Sequence, residues 1–174
     1  MTDADVRHVV SALVVDKPGT LNRVASLLRA RSFNIESLTV GTTHEPGRSR
    51  MTIVIRGDDA HTHQVLAQLN RLIEVLEVVD LTDASRFELE LALVECSVPA
   101  DAAARRAIKD AMASAGGELL TAGPDGWRLR LAAAPAQIDI ALAALRGHGL
   151  RNLVRAGSVA MAASTTPSQI GEKP

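Results

Sequence analysis

The hydrophobic positions along this chain switch repeatedly between two spacings, one that suits strands and one that suits helices. His8 to Val15 is rich in β-branched residues and apolar on both faces near its end, as a buried strand would be. Asp16-Lys17-Pro18-Gly19-Thr20 breaks it. Leu21, Val24, Ala25 and Leu28 then recur at helical spacing, with Arg23 and Arg29 on the other side. Asp16 is placed to cap this helix and Pro18 suits its first turn, with the end expected near Arg31-Ser32. Ile35 to Val40 reads as a second strand, Ile35 and Ser37 on one face and Leu38 and Val40 on the other. His44-Glu45-Pro46-Gly47 is a turn cluster, and Met51, Ile53 and Ile55 alternate in a third strand, Arg50 to Arg56. Val65, Leu66, Leu69 and Leu72 mark a second helix after Asp58-Asp59, and Val75 to Leu81 supplies a fourth strand. The order is β-α-β-β-α-β, the split pattern of ferredoxin-like folds.

The same order then recurs. Phe87 to Val98 reads as a long strand, Asp101 to Ala115 as an alanine-rich helix stopped by Gly116-Gly117, and Glu118 to Thr121 as a short strand. Gly123-Pro124-Asp125-Gly126 turns tightly into Trp127 to Leu131, Ala136 to Leu145 is a helix, and Leu150 to Val154 starts a final strand. The expected fold class is α+β, two ferredoxin-like βαββαβ modules spanning residues 1–82 and 83–163, followed by a loose polar tail, 164–174. Each module buries only a modest core by itself. A four-stranded sheet covered by helices on one face leaves an edge and a face free, so association between copies is expected from the architecture.

Composition narrows the function classes. A formal net charge of -1 over 174 residues gives no field of one sign to draw nucleic acid or an anionic membrane. The first residues, Met1 to Arg7, carry two aspartates and no apolar stretch, unlike a signal peptide, and no apolar run approaches the ~20 residues of a membrane span. A cytoplasmic location is expected. Phe33, Phe87 and Trp127 are the only aromatic residues, so stacking platforms for bases are missing and an RRM-like reading fails.

Candidate chemistry is sparse. His61 and His63 invite a metal reading, but at this spacing on a helix the imidazoles diverge by about 200° and no third ligand is near. His8 reads as a structural residue of the first strand, and Cys96, the single cysteine, as a packed thiol with no base beside it. The glycine-rich turns lack the Gly-Lys-Ser/Thr of a phosphate loop, and the acidic residues form no catalytic pair. The junction at Asp16 to Leu21 is different. Gly19 allows backbone to approach a small ligand, and the helix start offers N–H groups that suit an amino-acid carboxylate. Taken from the residues alone, the stretch reads first as a plain turn and cap.

Asp16-Lys17-Pro18-Gly19-Thr20-Leu21-Asn22-Arg23-Val24 resembles the opening of ACT domains, ferredoxin-like modules that bind amino acids. Phe33-Asn34-Ile35-Glu36-Ser37-Leu38-Thr39-Val40-Gly41, then Ser49-Arg50-Met51-Thr52-Ile53, is similar to the small subunit of acetolactate synthase, closely over residues 7 to 81. Residues 86 to 162 resemble that family's C-terminal domain in outline, through Phe87 to Val94 and Leu150 to Met161. The resemblance implies a regulatory subunit with no catalytic residue, metal or cofactor of its own. Thiamine diphosphate, Mg²⁺ and FAD would sit on a separate large subunit that condenses pyruvate with pyruvate or 2-oxobutyrate. This chain would raise that subunit's activity and confer feedback inhibition by valine, leucine or isoleucine, valine foremost. It also implies a homodimer through the ACT domains with the effector between protomers: Asp16, Gly19, Thr20 and Leu21 of one against Asn34 and Ile35 of the other. Position 16 is often asparagine in the family; Asp16 can attract an ammonium but loses an amide donor and repels a carboxylate. The alternative is a free-standing ACT protein that regulates a different enzyme.

Overall fold

The computed structural model describes residues 6–30 and 34–164. The strand β1 (Val6–Val15) occupies the middle of the first sheet, because its run of apolar side chains can be buried on both faces. The elements α1 (Thr20–Ala30), β2 (Asn34–Thr42), β3 (Arg48–Gly57), α2 (Asp59–Leu69) and β4 (Val75–Asp80) follow, giving an antiparallel sheet in the order β2-β3-β1-β4. The core gathers Val10, Ala12 and Val14 of β1 with Met51, Ile53 and Ile55 of β3, under Val24 and Leu28 of α1 and Leu66 and Leu69 of α2. The second half repeats the arrangement with β5 (Arg86–Cys96), α3 (Ala102–Ser114), β6 (Glu118–Gly123), β7 (Gly126–Ala133), α4 (Pro135–Arg146) and β8 (Leu150–Arg155). Its strands run β6-β7-β5-β8, the same order as the first sheet. The α+β class and the doubled βαββαβ pattern are therefore as expected.

In this second module Cys96 is fully buried among Ile108, Met112, Trp127 and Leu129, and burial raises its thiol pKa. Asp101 caps α3 by accepting from the Ala104 N–H at 2.7 Å. The end of α3 needs its glycines: a Cβ on Gly117 would lie 2.7 Å from Met112, and Gly116 has φ +55°. One sheet face packs on α3 and α4, whereas Leu89, Leu91, Leu93 and Val154 are exposed.

Three expectations change. The strand β2 carries an irregularity between Ile35 and Ser37, so Ile35 pairs with Ile55 and Leu38 with Ile53, and both pack on the same core. Strict alternation had put them on opposite faces. Met51, Ile53 and Ile55 lie wholly on the helix side of the sheet; the opposite face carries Val9, Val54, Val79 and Leu81. A last strand, β9 (Val159–Ala162), was not anticipated, and Ala160 joins that apolar group. The Ala160 N–H donates to Thr52 Oγ1 at 3.3 Å, and the Ser158 N–H to Ser37 Oγ at 3.4 Å. Finally, the chain divides into one unit of residues up to Phe87 together with those from Ser158, and another of Glu88–Gly157. Ser158 to Ala163, expected in the second module, thus belong with the first. The expected tail lies outside the described residues except for Ser164, as do Arg31 and Ser32, where α1 was expected to end.

Candidate effector site

The junction from β1 to α1 is held by main-chain bonds at both ends. The Val15 N–H donates to the Glu74 carbonyl and the Asp16 N–H to the Gly47 carbonyl, each at 2.8 Å. The Thr20 N–H closes a turn on the Lys17 carbonyl at 3.3 Å, and the Thr20 hydroxyl donates to the Val15 carbonyl at 3.0 Å. Helical bonding begins with the Arg23 N–H on the Gly19 carbonyl at 3.0 Å. Among the described residues the N–H groups of Gly19, Leu21 and Asn22 meet no acceptor. Unpaired N–H groups at a helix start are the kind of group that suits an anion.

Gly19 has φ +91°, and a Cβ there would touch nothing within 4 Å. Glycine is required by backbone conformation, and the space beside it is open. Asp16 does not cap the helix as expected: α1 starts four residues later, and the exposed Asp16 side chain makes no bond among the described residues. Pro18 precedes the helix rather than entering its first turn. Thr20 is buried and spends its hydroxyl within the loop, while Leu21 is 46% exposed.

Glu74 adds a residue to this junction that the sequence motifs do not single out. Its side chain is only 3% exposed, yet Oε1 receives Arg23 Nη1 at 2.9 Å and Lys17 Nζ at 3.3 Å. Its other carboxylate oxygen, Oε2, is shielded from solvent and meets no donor among the described residues. Burial opposes the charge, but Glu74's own N–H, Lys17 and the positive charge of Arg23 outweigh it and hold the carboxyl below the ordinary glutamate range. The signal was present: one acid inside the apolar run Leu72-Ile73-Glu74-Val75-Leu76.

Asn34 and Ile35 form the other half of the expected site. Asn34 is exposed at the start of β2, and Ile35 is partly buried against the core. Glu36, next along, accepts from Arg7 Nε at 2.9 Å and Arg56 Nε at 2.8 Å. Burial again opposes its charge, and the two arginines together lower its pKa. The halves do not meet within one chain. Val15 lies opposite Arg48 of β3 and Asn34 opposite Arg56, eight residues along the same strand. At ~3.3 Å per residue that is roughly 26 Å.

His8 is buried, its Nε2 3.2 Å from the Gly57 carbonyl, and His63 is exposed on α2. A separate cleft of about 460 Å³ opens over Ser11, Leu13, Arg50, Glu77, Val79 and Met161. It includes none of Asp16 to Leu21, Asn34 or Ile35.

A βαββαβ sheet with a glycine-bearing strand-to-helix loop at one end and a bare edge strand is the framework of an ACT domain. Residues 10–77 match a family described as an AHAS small subunit-like ACT domain, and residues 89–164 one described as the small subunit of acetolactate synthase. The acetolactate synthase small subunit of Mycobacterium bovis is 37% identical over 94% of this chain and 95% of its own length. That of Aquifex aeolicus is 37% identical over 89% of this chain and 80% of its own. The crystal structure of the Thermotoga maritima small subunit superposes with a TM-score of 0.80 at 30% identity, covering 92% of this chain and 99% of that one. The chain belongs to the acetolactate synthase small-subunit family.

Proposed function

We propose that this chain is the regulatory subunit of an acetolactate synthase, which activates a separate catalytic subunit and makes it sensitive to a branched-chain amino acid, valine foremost. The carrying observation is that the two halves of the effector site lie at opposite ends of one sheet. A site assembled from them needs two chains. The strand β2 is an edge, and a two-fold axis pairing two β2 edges antiparallel sets one chain's Asn34 beside the other's Thr42 end. Thr42 pairs with Ser49, and the loop leans toward the same end through the Asp16 bond to Gly47. An amino acid there would set its carboxylate on the free N–H groups of Gly19, Leu21 and Asn22. Asn34 of the other protomer would donate to the carboxylate or accept from the ammonium, and Leu21 and Ile35 would wall its apolar side chain.

Occupancy of such a site changes how two protomers fit together, and the catalytic subunit can respond to that fit. Thiamine diphosphate, Mg²⁺ and FAD belong on the catalytic subunit in this reading, and the complex is cytoplasmic; among the described residues no helix is long and apolar enough to cross a membrane. The test is reconstitution of the matching large subunit with and without this chain, under titration with valine, leucine and isoleucine. Activation together with inhibition by one of the three is expected. Turnover by this chain alone, or no effect on the large subunit, overturns the reading and favours a regulator of another enzyme.

A further inference from the structure

A glutamate with its side chain 3% exposed and one carboxylate oxygen without a donor is costly, and the fold gives it a place beside the effector loop. Three links run from Glu74 to that loop. Its carbonyl takes the Val15 N–H, where β1 gives way to the loop. Its Oε1 takes Lys17, inside the loop, and Arg23, on the first turn of α1. Lys17 and Arg23 flank Pro18 and Gly19, so one buried oxygen gathers both sides of the turn. Between those two cations lie the N–H groups of Gly19, Leu21 and Asn22.

We propose that Glu74 is the positioning residue of the effector loop: by gathering Lys17 and Arg23 on a buried carboxylate it fixes the turn at Gly19 and aims the free N–H groups at the ligand's carboxylate. It acts through the loop and does not touch the ligand. The inference rests on the proposed function, since it assumes that an amino acid binds here. A hydrophobic residue at position 74 would pack a small core as well or better, because a buried ion pair is a poor source of stability. What the carboxylate adds is a fixed place for two flexible cationic side chains.

The test separates positioning from simple electrostatics. Glu74→Gln removes a negative charge beside the loop, whereas the double variant Lys17→Gln/Arg23→Gln removes two positive ones. If charge alone mattered, these would shift the affinity for an anionic carboxylate in opposite directions. If the clamp positions the loop, both weaken it. Calorimetric titration of the full chain with valine, leucine and isoleucine should give a Kd about tenfold weaker for each variant. Hydrogen exchange in the absence of effector should be faster from Lys17 to Leu21 in both. Shifts of opposite sign, or unchanged affinity in either variant, overturn the inference while leaving the site intact. Failure of the unsubstituted chain to bind any of the three instead overturns the functional reading beneath it. Lys17 and Arg23 are half exposed or more, so the double variant carries the test should Glu74→Gln not fold.

Discussion

Asn34 concentrates the chemistry expected of a small zwitterion, because one amide both donates and accepts. It is exposed at the very start of β2, so its removal subtracts a ligand contact without opening the core. A hydrogen bond to a charged group contributes about 1.5–3 kcal/mol. Asn34→Ala should therefore weaken inhibition of the reconstituted complex at least roughly tenfold, read as the shift of the effector titration. Unchanged inhibition with normal assembly would mean the effector lies elsewhere. Asp16→Asn should act the other way, since it removes a charge that repels carboxylate and restores an amide donor. The need for glycine at position 19 and the free helix start are legible in the sequence because each follows from local chain chemistry. The Asp16 cap is not legible, because the Asp16 N–H bonds back to Gly47 and α1 starts only at Thr20. The role of Glu74 is not legible either, because its partners are more than fifty residues away along the chain.

Among the elements, β2 carries an ion cluster at the point where its register shifts. Arg7 of β1 and Arg56 of β3 converge on Glu36, at the point where β2 slips by one residue. The slip is what lets both Ile35 and Leu38 face the core, and periodicity alone could not reveal it. The last strand was illegible for a related reason: Val159 to Ala162 is four residues long, too short to carry a period, and it is defined by what it packs on. A pH prediction follows from the glutamates. Glu36 and Glu74 both have folded pKa values below the unfolded one. The stability they contribute is present above the usual glutamate range, about 4.3, and is lost as pH falls through the folded values. Melting midpoints followed from neutral pH down to about 3 should fall less steeply in Glu36→Gln than in the unsubstituted chain. A steeper fall would contradict the assignment. In the second module Arg155 joins Glu90, which is buried, and Asp139 in the second turn of α4, and the two acids raise its pKa against the effect of burial. Arg155→Met should cost about 2–3 kcal/mol in chemical denaturation, less than the ~3–5 of a fully buried pair, because Arg155 is 29% exposed. No change in midpoint would show the cluster to be ornamental to folding.

On the scale of the assembled molecule, the decisive question is whether the effector site is built from one chain or two. Both halves of the proposed site are carried by each chain, but β3 holds them apart by the length of eight residues. A shared site makes a prediction that a site within one chain cannot. Take one chain carrying Asn34→Ala, with an intact loop, and another carrying Gly19→Val, with an intact Asn34. The valine at position 19 must adopt φ +91°, which costs a β-branched residue of order 1–3 kcal/mol and distorts the loop without striking a neighbour. Each variant alone assembles with two defective sites and should resist inhibition. In a mixed dimer, the loop of the first chain faces the Asn34 of the second, and one sound site is regenerated; the other site carries both defects. Random pairing at equal amounts makes about half of the dimers mixed, so roughly a quarter of all sites are restored. Reconstitution with the two variants unfolded and refolded together should therefore recover partial inhibition near the original effector concentration, whereas either alone needs roughly tenfold more. Sedimentation at micromolar concentration supplies the companion measurement, with dimer expected. If the co-refolded mixture is dimeric yet as resistant as its components, the loop and Asn34 do not share a ligand, and the two-chain site is wrong.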